Sequence, residues 1–186
     1  MFIFHFLIND GVEKVARSTA DAFAAFYEQY MPKVFRYVCY RVTNINLAED
    51  ITSVVFEKAL TRFKTYSSEK ATFATWVFSI ARNTLIDHFR VHGKQHLVQL
   101  DDAFDCTKDE DSPEETVIKE EEHKILQRYI SRLSPQEKEI ISLKFGADMT
   151  NRQIAGMLGL SDSNVGVILY RTVRKLRNDF KGWHDG

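Results

Sequence analysis

With 186 residues, 44 % of them hydrophobic, the chain can bury one medium core or two small ones. Its formal net charge of −1 argues against a uniformly basic polyanion binder, but the charge is uneven: residues 19–92 hold nine basic and seven acidic side chains, 93–124 four and eleven, and 125–186 ten and six, so two mildly basic blocks flank an acidic one. Cys39 and Cys106 lie far apart without CxxC spacing, which argues against a disulfide scaffold or a metal site and fits a reducing cytosol.

The apolar opening Phe2-Ile3-Phe4-His5-Phe6-Leu7-Ile8 lacks a basic flank and a small-residue cleavage site and is too short to span a bilayer. It reads as a tail over 1–18, with no membrane insertion. Phe23, Phe26, Tyr27, Tyr30, Val34, Val38 and Val42 then recur at helical spacing behind a Ser18-x-x-Asp21 start. Pro32 is expected to kink this helix or to start a second one, since proline removes a backbone donor and clashes one turn back. Asn46-x-x-Glu49 predicts the next helix, with Ile51, Val55, Ala59 and Phe63 on one face, and a third runs from about Thr72 to Val91 on Phe73, Trp76, Val77, Ile80 and Thr84.

From Gly93 to about Glu115 periodicity disappears while Asp and Glu accumulate around Pro113, the composition of a linker. Helical spacing resumes with Ile118, Ile125, Tyr129 and Leu133. Ser134-Pro135-Gln136-Glu137 then supplies an N-cap, a first-turn proline and an N3 glutamate, for a helix ending near Gly146. Thr150-x-x-Gln153 caps a short helix with Ile154, Ala155 and Leu158. Gly159 gives the turn, and Ser161 caps a longer helix burying Val165, Leu169, Val173 and Leu176. Two such helices suit a helix-turn-helix or any other tight helical pair. Burying that stripe turns Asn164, Val167, Tyr170, Arg171 and Arg174 outward, where an amide, an aromatic ring and guanidinium groups suit a major groove; Arg174, Lys175 and Arg177 suit phosphates.

No HExxH, G-x-S-x-G or phosphate-cradling glycine loop occurs, so neither an enzyme nor a cofactor is expected. A free-standing helix-turn-helix regulator explains residues 120–181 but leaves 46–91 unused.

Ala48-Glu49-Asp50-Ile51 followed by Phe56-Glu57-Lys58-Ala59 resembles the polymerase-clamp-binding helix of extracytoplasmic-function RNA polymerase sigma factors. Phe73-Ala74-Thr75-Trp76-Val77-Phe78-Ser79-Ile80-Ala81-Arg82-Asn83, with Ile86-Asp87 and Arg90, is similar to their segment that opens the downstream promoter element. Leu133-Ser134-Pro135, Ile154-Ala155, Leu158-Gly159 and the run from Tyr170-Arg171 to Leu176 resemble their final domain, which reads the upstream element. Two places depart from the pattern. Gly166, Val167 and Ile168 stand where basic residues are frequent, and Arg152-Gln153 precedes Ile-Ala where Glu is common, which puts the upstream sequence preference outside the usual pattern.

The resemblance implies an all-α fold of two small helical domains, a region 2 bundle at 19–92 and a region 4 helix-turn-helix at 120–182, joined by an acidic flexible linker at 93–119. It implies a non-catalytic cytoplasmic protein whose partners are core RNA polymerase, promoter DNA and an anti-sigma factor. Glu49, Asp50, Phe56 and Glu57 are then expected to meet polymerase, although such carboxylates are ordinarily solvated helix surface. Arg62, Tyr66, Ser67, Ser68, Trp76 and Asn83 are expected at the opened strand, with Tyr66, an aromatic in a helix break, free to stack on a base. Ser163, Asn164, Val167, Tyr170, Arg171, Arg174 and Lys175 are expected on duplex DNA.

Overall fold

The computed structural model describes residues 10–42, 44–92, 126 and 128–184; the expected linker at 93–119 and Cys106 lie outside the described residues. Helix α1 (Asp10–Cys39) starts before the expected Ser18 cap and continues through Pro32, so neither a second helix nor a tail ending at 18 is seen there. Pro32 is exposed, which lets water satisfy the carbonyl one turn back that loses its partner.

Helix α2 (Ile45–Arg62) begins earlier than expected, because Asn44 rather than Asn46 is the cap: its side chain accepts from the Leu47 amide at 3.0 Å. A short 3₁₀ turn, Phe63–Thr65, closes α2. Helix α3 (Phe73–His92) matches its expected span, with the Thr72 hydroxyl accepting from the Thr75 amide. These three helices bury Val34, Tyr37 and Val38 of α1, Ile51, Val55 and Ala59 of α2, and Phe73, Val77, Phe78, Ala81 and Leu85 of α3. The spacing of three and four residues is that of one apolar stripe per helix.

In the C-terminal unit, Ser134 and Glu137 form the expected capping box at the start of α4 (Pro135–Ile141), which widens into a π-helical turn over Ser142–Gly146. Thr150 and Gln153 form a second capping box on α5 (Asn151–Leu158). Gly159, at φ 68°, takes the left-handed conformation that ends α5, which a side chain would resist. Ser161 then accepts from the Asn164 amide at the start of α6 (Asp162–His184). Val165 and Leu169 are buried and Val173 and Leu176 are partly so. Thr172, absent from the expected stripe, is buried beside them.

The two units meet directly. The π-helical turn packs against α1 so closely that a Cβ on Gly146 would lie 2.7 Å from the Tyr37 Cα and 2.8 Å from its amide nitrogen, and the buried residues of both units form one continuous core. Among the described residues, no helix is long and apolar enough to cross a membrane.

Candidate nucleic-acid interface

Helix α6 carries the clearest surface. Ser163, Asn164, Val167, Tyr170, Arg171, Arg174 and Lys175 are all exposed, Tyr170 at 67 %. At about 100° per residue their spacing confines them to one face, opposite Val165 and Leu169. The face combines two guanidinium groups, an ammonium, an amide and an aromatic ring, the inventory for base edges and phosphates. A hollow of about 590 Å³ beside it is lined by Lys144, Phe145, Tyr170, Arg174 and Arg177 among others. Phe145, 47 % exposed, was not singled out in the sequence, because it sits beyond the regular stripe at a widened turn.

On the N-terminal unit, Tyr66 is not a free loop aromatic. Its ring lies 5.2 Å from Trp76 and 5.6 Å from Phe73, and it also meets Phe26 and Phe63. Helix ends converge there, and apolar rings gain more from each other than from water. Tyr66 and Trp76 nevertheless stay half-buried, while Arg62, Ser68 and Asn83 are exposed and Ser67 is intermediate. Asn83 stands two turns of α3, about 10 Å, beyond Trp76, so the aromatic cluster and the amide line a track rather than a single-base pocket.

Glu49, Asp50 and Glu57 are exposed on α2. Phe56 is a correction: it is 5 % exposed and packs edge-on against Tyr27 at 4.8 Å, so it supports α2 from below instead of facing outward. The exposed apolar side chains of α2 are Val54, 39 % exposed, and Leu60, 47 %. Val54 lines a groove of about 390 Å³ between α2 and α3 with Leu47, Asp50, Lys58, Asp87 and Val91.

A polar cluster between the units was not anticipated from the sequence. Glu139 of α4 is buried, accepts from the Tyr37 hydroxyl at 2.7 Å, pairs with Arg41, and lies 3.8 Å from the Arg82 Nε. Burial pushes the Tyr37 phenol up to about 12, against the opposing pull of Arg41 and Arg82. Burial also lowers Arg41, and lowers Lys138 with help from the Arg41 charge. Outside it, Asp148 pairs with Lys33 at 3.2 Å and Arg36 at 3.0 Å. The available sequence signal was a glutamate beside Ile140 and Ile141 at an inward position, and Tyr37 on the apolar side of α1 with Arg41 four residues on, just past the helix end.

Comparison with known proteins gives the same two units. Residues 26–95 match the Sigma-70 region 2 family, and residues 123–176 match Sigma-70, region 4. The ECF RNA polymerase sigma factor BldN of Streptomyces coelicolor is 34 % identical over 165 residues, a span covering 89 % of this chain and 62 % of that protein. The chain thus spans less than two thirds of that relative's length. The ECF RNA polymerase sigma factor SigM of Bacillus subtilis is 24 % identical over 151 residues, covering 81 % of this chain and 90 % of that one. The fold is also that of the sigma factor RpoE solved with the anti-sigma factor NepR from Bartonella quintana: the TM-score is 0.68 at 16 % identity, covering 86 % of this chain and 97 % of that one.

Proposed function

Because the chain belongs to the sigma-70 family, as a factor of the extracytoplasmic-function type, we propose that it binds core RNA polymerase and directs promoter recognition, strand opening and transcription initiation. The observation that carries this reading is the exposed α6 face in the same chain as a region 2 unit with a track of half-buried aromatic rings and an exposed amide. A free-standing regulator needs the first surface only.

In this reading α6 enters the major groove of the upstream element, with Arg171 at base edges and Lys175 at phosphates. Tyr66, Trp76 and Asn83, with Arg62, Ser67 and Ser68, receive the opened downstream strand. Its lost stacking and pairing, a few kcal/mol per base, is offset by aromatic contact and hydrogen bonds. Asp50 lines the Val54 groove, and it offers a carboxylate to polymerase together with Glu49 and Glu57, exposed on the same helix. Polymerase supplies all the catalysis; the protein contributes binding energy and geometry in the cytoplasm where the enzyme works. An anti-sigma factor completes the set of partners, as RpoE has one in NepR. An acidic segment at 93–119 suits a positively charged channel built for RNA.

The test is association with polymerase. Asp50 is exposed, so Asp50→Arg leaves the fold intact and should lower co-purification with core polymerase at least tenfold. Unchanged co-purification would return Asp50 to the solvated helix surface.

A further inference from the structure

The cluster between the units holds more positive than negative charge. Lys33 and Arg36 of α1, Arg41 in the turn after it and Arg82 of α3 face two carboxylates of the C-terminal unit, Glu139 and Asp148. Among the described residues, the buried Nε groups of Arg36, Arg41 and Arg82 have no hydrogen-bond partner, although a buried guanidinium N–H normally finds an acceptor. Asp148 is held at φ 55°, a left-handed conformation that aspartate tolerates better than most residues, while its carboxylate reaches Lys33 and Arg36. Four cations converging on two carboxylates, with three donors left over, are chemically matched to an acceptor richer in oxygen than a carboxylate.

We propose that Lys33, Arg36, Arg41 and Arg82 form a phosphate-binding patch on the N-terminal unit, which Glu139 and Asp148 occupy when the two units dock. Docking and phosphate binding are then mutually exclusive. The Arg41 side chain is 12 % exposed in the docked arrangement, so a phosphate reaches it only after Glu139 leaves. The inference deepens the function proposed above and rests on it for the ligand: Arg82 lies about 100° round α3 from Asn83, so the patch flanks the α3 track, within reach of the sugar-phosphate backbone of a promoter strand held there. The carboxylates act as an internal competitor, and a nucleic acid exchanges them for phosphates. Undocking also frees the α6 unit to move away from the N-terminal unit.

Docking can be read on the full chain without polymerase. A zero-length carbodiimide should join Lys33 to Asp148, whose charged atoms are 3.2 Å apart, and peptide mass spectrometry measures the yield. Inorganic polyphosphate should lower that yield several-fold, a single-stranded oligonucleotide should do the same, and sodium chloride at equal ionic strength should not. Glu139→Gln should lower the yield with no polyanion present and tighten polyphosphate binding by roughly tenfold, because a larger share of molecules is already open. If Arg41→Gln fails to fold, the half-exposed pair Lys33→Gln with Arg36→Gln keeps the test. It should weaken polyphosphate binding several-fold and flatten its salt dependence. A cross-link yield indifferent to polyphosphate overturns the proposal, as does unchanged affinity in the Lys33 and Arg36 double variant. Displacement by polyphosphate but not by the oligonucleotide keeps the patch and removes the promoter strand as its ligand.

Discussion

Tyr37→Phe removes one oxygen from the contact between the two units and leaves the ring in place. The hydroxyl is buried and donates to Glu139 at 2.7 Å. A hydrogen bond to a charged acceptor contributes about 1.5–3 kcal/mol net. Glu139 keeps Arg41 as a partner, so its charge is not orphaned, and the expected loss is near the middle of that range, about 2 kcal/mol. Alkaline titration gives an independent reading of the same environment. The folded phenol is raised to about 12 from 10.0, so the neutral form's contribution is fully present below pH 10 and is lost as pH climbs through 12. Over that window the parent loses stability relative to Tyr37→Phe at about 1.4 kcal/mol per pH unit. Urea unfolding of both proteins at neutral and alkaline pH measures the first quantity, and the parent-minus-variant phenolate absorbance isolates Tyr37 from the other tyrosines for the second. A loss below about 0.5 kcal/mol, the size of an ordinary surface change, or ionisation at the ordinary value would refute the reasoning.

Gly146→Ala places a methyl against the Tyr37 backbone, which cannot rotate away, so the units should separate or the fold lose about 1–3 kcal/mol; scattering and urea unfolding distinguish the two. Arg171→Ala should cost about 1–3 kcal/mol on the upstream element and relax sequence preference, while Lys175→Ala should weaken all duplexes alike; equal, sequence-blind losses in a competition assay would misplace the recognition face. Asn83→Ala should leave the fold and polymerase binding unchanged but reduce permanganate reactivity of promoter thymines. Tyr66→Phe keeps the packed ring and should open the promoter nearly as well as the parent.

Local features were legible in the sequence to the extent that their physics is local. The boxes Ser134/Glu137 and Thr150/Gln153 form as expected, because a cap and its N3 partner lie within one turn and need no tertiary help. The same rule misled at Asn46, where Asn44 stood two residues earlier with an equally good acceptor, and at Ser18, where the helix runs on toward its N-terminus. The α6 face followed from helical period alone. The packing of Phe56 and Tyr66 was not legible, because burial at a meeting of helices depends on what arrives from α1 and α3, and no spacing within one helix reports that. Least visible was the Tyr37–Glu139 contact, whose partners are separated by 102 residues. A buried carboxylate announces itself only when the cations that surround it are known.

Transcription with purified protein, core RNA polymerase and a genomic template, with start sites mapped, tests the central claim most directly. Initiation should require both proteins, begin at discrete sites sharing an upstream and a downstream element, and lose its upstream selectivity with Arg171→Ala. Binding of the protein alone to duplex promoters, with no gain from polymerase and no new start sites, would contradict it.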